Sequence, residues 1–334
     1  MRWIRVKDPL QILPFTSYGT ADTLQVRGRA LEDQAIDLAQ KGTLQLLVNS
    51  WKRFEFDEIC DAPLTLSLGN GQRFELSTDH NGYYTLKAEV SGLEQLADSD
   101  GWLEYTVSFE SNKVVRPIRN NNRFLGHMLI PPRTAEFGII TDIDDTILHT
   151  GVTSYLKWKV IFNTVFKRAE SRIPLQGAPE LYHQLHRGKK GESANPIFYV
   201  SHSPWNLYRY LEYFLSRNHF PKGAILLRSM ASVLWRQKKG SIPHKHGTIS
   251  HILNTYPGLS FVLIGDSAEK DADIYLDLAK HYPGRIRAIF LRTVRHPGRM
   301  KRVRKLLQQA PGMPVYLVDH SDDLAQHAQS LDLL

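Results

Sequence analysis

A single cysteine, Cys60, stands in 334 residues, so no intrachain disulfide can form, which fits a reducing compartment or simple indifference to redox setting. A lone cysteine of this kind is read as a small core hydrophobe rather than a reactive thiol. No stretch approaches the continuous apolar length that a membrane span needs. Met1 to Phe15 mixes charge with apolar side chains and lacks an unbroken apolar run, which argues against a secretory signal. Cys/His spacing of the zinc-binding type is also missing, although His244 and His246 flank a lysine. Together these absences predict a soluble, cytoplasmic chain that meets membranes at their surface, if at all.

What is present divides unevenly. The length suggests two domains, with ample chain for a large core. The first 135 residues carry 15 Lys+Arg and 17 Asp+Glu, a net of −2, whereas the remainder carries 27 and 17, a net of +10. Nine of these basic residues fall between Arg285 and Lys305. Such a surplus favours an anionic substrate or peripheral association with an anionic membrane; solubility alone is the plain alternative. Nucleic acid is disfavoured because aromatic residues are not interleaved with the charges.

The first half reads as β. Leu24 to Ala30 and Leu64 to Leu68 alternate apolar with polar, as half-buried strands do. Gly69-Asn70-Gly71 follows the second run as a hairpin signal. Arg73 to Leu76, Tyr83 to Val90, Trp102 to Phe109 and Leu125 to Ile130 supply further strands. Thr78 to Gly82, with His80 inside it, is turn chemistry. Leu44 to Phe54 stands apart, because Leu44, Leu47, Val48 and Trp51 share a helical face. Pro131-Pro132 ends the pattern. The expectation is an all-β, sandwich-like domain over 1–132, followed by a second domain over 133–334.

In the second half strands alternate with helices. Strands are expected at Phe137 to Ile140, Pro196 to Ser201, Ala224 to Leu227, Phe261 to Asp266, Ile286 to Leu291 and Val315 to Val318. Helices are expected at Ser154 to Arg168, Ala178 to His186, Trp205 to Leu215 (Ser203 as N-cap, Pro204 first), His244 to Leu253, Asp271 to Ala279 and Arg299 to Lys305. This alternation predicts an α/β, Rossmann-like parallel sheet with helices on both faces. Ligands in such sheets bind beyond the carboxyl ends of the strands.

Those ends are where the acids lie. Asp142-Ile143-Asp144-Asp145-Thr146 follows a buried strand, and a second strand ends in Ser201 and a third in Asp266. Unpaired carboxylates are costly to bury, so a bound cation is expected among them. Asp142 and Asp144 point the same way on an extended segment, which suits either a hard cation or a nucleophile with an acid/base partner. A turn rich in Asp and Thr is the bland alternative for this motif taken alone.

Asp142-Ile143-Asp144-Asp145-Thr146, Val200-Ser201, Lys245 and Gly265-Asp266-Ser267-Ala268-Glu269-Lys270-Asp271 resemble, in order, the four motifs of the haloacid dehalogenase superfamily. Within it, the stretches Tyr199-Val200-Ser201-His202-Ser203-Pro204-Trp205-Asn206-Leu207-Tyr208 and Ile264 to Tyr275 are similar to the phosphatidate phosphatase family of the actin-patch-protein type. The likeness is strongest over 135–295. Lipins share the superfamily motifs, but Ser203 to Leu207 favours the former family.

The resemblance implies a haloacid dehalogenase-like fold and a Mg²⁺-dependent hydrolysis of phosphatidate to diacylglycerol and phosphate. Asp142 would be the nucleophile that forms an aspartyl-phosphate. Asp144 would protonate the leaving alkoxide and then deprotonate water. Asp142, Asp266 and the Asp144 carbonyl would hold Mg²⁺. Thr146, Ser201 and Lys245 would contact the phosphate, and Asp271 would order the lysine or a metal-bound water. Lys238, Lys239 and Lys270 compete for the lysine role. The inserts between motifs are too short for a large cap domain, leaving a cleft that Trp158, Phe162, Phe166, Trp205 and Trp235 could line. Two alternatives stay open: a phosphatase of soluble or nucleic-acid phosphomonoesters, and a non-catalytic lipid-binding scaffold.

Overall fold

The computed structural model describes residues 8–32, 59–110, 116–143, 177–228, 244–267, 270–293, 297–308 and 312–334. Helices expected at Leu44 to Phe54 and Ser154 to Arg168 lie outside them, as do Asp144, Asp145, Thr146, Lys238, Lys239, Trp158, Phe162, Phe166 and Trp235. The chain divides into two compact units, Met1–Ile130 and Pro131–Leu334.

The first unit is rich in sheet. Strands β1 (Leu10–Phe15), β3 (Thr23–Glu32) and β6 (Tyr83–Glu89) form an antiparallel sheet in the order β1-β3-β6. Strands β2 (Ser17–Tyr18), β4 (Pro63–Leu68), β5 (Arg73–Ser77), β7 (Trp102–Phe109) and β8 (Phe124–Leu129) form a second sheet in the order β2-β8-β7-β4-β5. Period-2 alternation works as expected: Leu64, Leu66 and Leu68 are buried while their neighbours are half-buried. Side chains of both sheets, among them Ile12, Leu24, Val26, Leu64, Leu103 and Val107, share one core. Burying each such side chain is worth roughly 1.5–3 kcal/mol.

Sequence pattern missed β1, which contains Pro14; the strand lies at the edge of its sheet, where a missing N–H costs no ladder bond. The Thr78 to Gly82 turn closes on Asp79, whose Oδ1 accepts from the backbone of Asn81 at 2.8 Å and of Tyr83 at 2.9 Å. Gly82 there takes φ 72°, a conformation glycine adopts without strain. Cys60 departs from its core reading: it is exposed in the turn before β4, and its thiol donates to the His80 carbonyl at 3.2 Å.

The second unit is a six-stranded sheet with helices. Its strands are β9 (Gly138–Asp142), β10 (Ile197–Pro204), β11 (Ala224–Arg228), β12 (Phe261–Asp266), β13 (Ile286–Arg292) and β14 (Val315–Val318). They run parallel in the order β11-β10-β9-β12-β13-β14. The described helices are α1 (Ala178–Arg187), α2 (Tyr208–Arg217), α3 (His244–Thr255), α4 (Asp271–His281), α5 (Pro297–Gln308) and α6 (Ser321–Ser330). Every residue of β9 and β12 is buried, which explains why these strands read as unbroken apolar runs.

Two local expectations change. Ser203 and Pro204 belong to β10, and Pro204 leads into a 3-10 turn rather than opening an α-helix. The residue before a proline is pushed to extended geometry, and Pro204 itself stays extended at ψ 156°. A 3-10 turn, Trp205–Leu207, intervenes before α2 starts at Tyr208. Helix α6 carries no strong sequence signal because its apolar content is slight; Asp323 Oδ2 accepts from the His320 backbone at 3.0 Å and secures its start.

Strand order sets the place of the site. From β9 the chain builds outward through β10 and β11, then crosses back to β12 on the other side of β9. The order therefore reverses between β9 and β12, and a crevice forms beyond their carboxyl ends at such a point. Asp142 and Asp266 are the last residues of those two strands.

Candidate active site

Consecutive strand residues face opposite sides of the sheet, and β9 uses both. Thr141 Oγ1 shares a 2.5 Å hydrogen bond with the Tyr182 hydroxyl on α1. Asp142 points to the other face, where Lys245 Nζ, in the first turn of α3, lies 3.0 Å from its Oδ1. The same ammonium lies 2.5 Å from Asp271 Oδ1, at the start of α4. Asp271 Oδ2 accepts in turn from the Asp266 backbone N–H at 3.3 Å. One carboxylate thus ties the lysine to the end of β12.

All four side chains are fully buried. Burial alone would pull the Lys245 ammonium below its ordinary pKa; the charges of Asp142 and Asp271 outweigh it and hold the lysine well above that value. Lys245 is therefore a fixed cation. Oxygens of Asp142, Asp266 and Asp271 lie within 4.8 Å of one another. This all-oxygen carboxylate set around one ammonium has the hard donor chemistry that suits a divalent cation.

Supporting contacts fix the group. Tyr275, one turn after Asp271, donates to the Ile264 carbonyl at 3.1 Å. Burial, then the nearby charge of Asp271, raises its phenol well above the ordinary value, so it remains a donor. Gly265 allows this packing: a Cβ there would fall 2.5 Å from Asp271 Oδ2 and 2.8 Å from the Tyr275 ring. Ser267, after Asp266, donates to the Arg292 carbonyl.

Ser201 is buried near the end of β10, next to β9, and its Oγ accepts from the Ser203 N–H at 2.9 Å. His202 lies between the two serines. Burial, then the positive charges of Lys245, His244 and Arg228, lower its imidazole to about 3, so it is neutral at ordinary pH.

Of the residues read from the sequence, Asp142, Lys245 and Asp271 are in direct contact, with Asp266 joined through its backbone. Ser201 is buried within the neighbouring strand β10, which runs on to Pro204 rather than ending at the serine. Asp144 and Thr146 lie outside the described residues. Between the described lysines, Lys245 reaches the carboxylates, while Lys270 is exposed. His246 turns away to Asp277 Oδ2 at 2.9 Å. Tyr275, Gly265 and His202 lie within the motif stretches, but the sequence assigns them no role; the i, i+4 spacing of Tyr275 from Asp271 is the signal that points to the first.

Residues 137–293 match a family described as "Phosphatidate phosphatase APP1, catalytic domain". Phosphatidate phosphatase APP1 of Saccharomyces cerevisiae is 35% identical over 156 residues, 46% of this chain and 25% of that protein. An uncharacterized protein of Schizosaccharomyces pombe is 30% identical over 157 residues, 47% of this chain and 25% of that protein. The chain thus matches a quarter of the length of each of these curated relatives. Among the described residues, no helix is long and apolar enough to cross a membrane.

Proposed function

We propose that this chain is a Mg²⁺-dependent phosphatidate phosphatase, proceeding from the match of residues 137–293 to the APP1-type phosphatidate phosphatase catalytic family. The observation that carries the reading is the buried Asp142–Lys245–Asp271 array beside Asp266 at the strand-order reversal. Its likeness to the haloacid dehalogenase fold, with a sandwich-like domain over 1–132 ahead of a catalytic domain over 133–334, is part of the same proposal. So is a cytoplasmic location.

In this mechanism an Asp142 carboxylate oxygen attacks phosphorus, and the bond from phosphorus to the glycerol oxygen breaks. Asp144 gives its proton to the leaving alkoxide, releasing diacylglycerol. Asp144 then takes a proton from water, whose oxygen attacks the aspartyl-phosphate; the Asp142–phosphorus bond breaks and phosphate leaves. Lys245 holds Asp142 in place and offsets charge developing on the phosphoryl oxygens, and Asp271 holds Lys245. Ser201 and Thr146 donate to those oxygens. Asp142, Asp266 and the Asp144 carbonyl would hold Mg²⁺, which would supply charge neutralisation between nucleophile and phosphate.

Turnover of phosphatidate in mixed micelles, sugar phosphates and phosphorylated oligonucleotides tests the substrate. The proposal expects phosphatidate to lead by at least tenfold in kcat/KM, about 1.4 kcal/mol. A smaller preference overturns the lipid assignment in favour of a general phosphomonoesterase. Asp142→Asn should abolish release while preserving the fold; unchanged release from it would defeat the covalent route.

A further inference from the structure

Helix α5, Pro297–Gln308, has the sequence PGRMKRVRKLLQ, with five basic residues and no acidic one. Its inward face is anchored: Met300 and Val303 are buried, and the Met300 sulfur meets Ser267 Oγ at 3.3 Å. Since Ser267 follows Asp266, the first turn of α5 sits at the carboxyl edge of the sheet, beside the carboxylate cluster. Helix α5 also touches α4, where Arg302 pairs with Asp273 at 2.6 Å. That ion pair takes Arg302 out of the free charge.

Lys301, Arg304 and Lys305 remain exposed. Their i, i+3, i+4 spacing stacks them on one face, continued by exposed Gln308 at i+7. The helix has no aromatic residue on which a base could stack, which sets this face apart from a single-strand nucleic-acid platform. We propose that the Lys301–Arg304–Lys305 face of α5 docks the catalytic unit on an anionic lipid bilayer. The choice of a bilayer rests on the phosphatidate reading, since a membrane-embedded phosphomonoester is reached only from such a surface; charge complementarity supplies the affinity.

The test is vesicle co-sedimentation of the full chain with phosphatidylcholine vesicles, with and without phosphatidylserine. Phosphatidylserine is the probe so that docking is read apart from the active site. Lys301→Gln, Arg304→Gln and Lys305→Gln combined should weaken binding to the anionic vesicles by about tenfold to a hundredfold at low salt. The loss should shrink as the Debye length falls to about 8 Å at physiological salt. A control with Lys190→Gln, Lys222→Gln and Lys280→Gln, all exposed elsewhere on the same unit, removes equal charge and should bind like wild type.

Turnover of a water-soluble short-chain phosphatidate should be the same in all three proteins, which also shows that they are folded. Equal loss in both triple variants would overturn the proposal in favour of net charge. Unchanged vesicle binding by the α5 variant, or loss confined to a duplex oligonucleotide, would overturn it in favour of a solvated face or nucleic acid. If wild type hydrolyses no phosphatidate while the α5 variant alone loses vesicle binding, docking stands and the substrate reading falls.

Discussion

Replacing Lys245 with Met removes the cation from a buried array and leaves Asp142 and Asp271 facing each other. Wild-type separations of 3.0 and 2.5 Å, with all three side chains nearly inaccessible, leave solvent little room to screen the resulting repulsion. Breaking a buried ion pair from one side costs about 3–5 kcal/mol. In a unit of this size each kcal/mol moves the melting midpoint by about 2–4 °C, so the fall should be about 6–20 °C. Adding Asp271→Asn to Lys245→Met removes one of the stranded charges and should recover part of the loss, a coupling that a double-mutant cycle reads directly.

The pH dependence has a definite sign. The lysine's folded pKa lies above the unfolded value of about 10.4. Its contribution is complete below that unfolded value and is lost as pH rises from it toward the folded one. The gap between wild type and Lys245→Met should therefore be level near neutrality and narrow above about pH 10.4. Calorimetry is the suitable assay, because two compact units can melt separately. A midpoint within about 2 °C of wild type, or no recovery in the double variant, would refute the reasoning.

Gly265→Ala should displace Asp271 and Tyr275, costing about 1–3 kcal/mol of stability and, through a shift of the array, on the order of a hundredfold in kcat; wild-type kcat would show that the close approach at Gly265 is not needed. His202→Asn should leave the shape of the kcat/KM profile unchanged from about pH 5 to 8, since the imidazole is neutral down to about pH 3. An inflection near neutrality that disappears in this variant would assign His202 a titrating role.

The sheet was legible because its strands are apolar runs, those of β9 and β12 buried throughout. The runs Phe261 to Asp266 and Val315 to Val318 read as strands over the bounds they occupy. Asp142 and Asp266 were legible as acids ending apolar runs, a combination burial disfavours unless chemistry needs it. What stayed hidden depends on distant partners. Position at a helix start before Asp266 singled out Lys245 over Lys270, but its contacts with both Asp142 and Asp271 come from the packing of α3 against α4, which no local pattern carries. Pro14 masked β1 because edge position belongs to the assembled sheet, and the pairing of Arg302 with Asp273 decides which α5 charges remain free.

The central claim is that Asp142 becomes phosphorylated during turnover. Acid-quenching the Mg²⁺-supplied enzyme while it turns over phosphatidate, reducing any acyl phosphate with borohydride and mapping the peptides by mass spectrometry tests it most directly. Reduction converts a phosphorylated aspartate into homoserine. The account predicts homoserine at position 142, absent without substrate and absent from Asp142→Asn. Turnover with homoserine at another acid, or with none at any position, would contradict it.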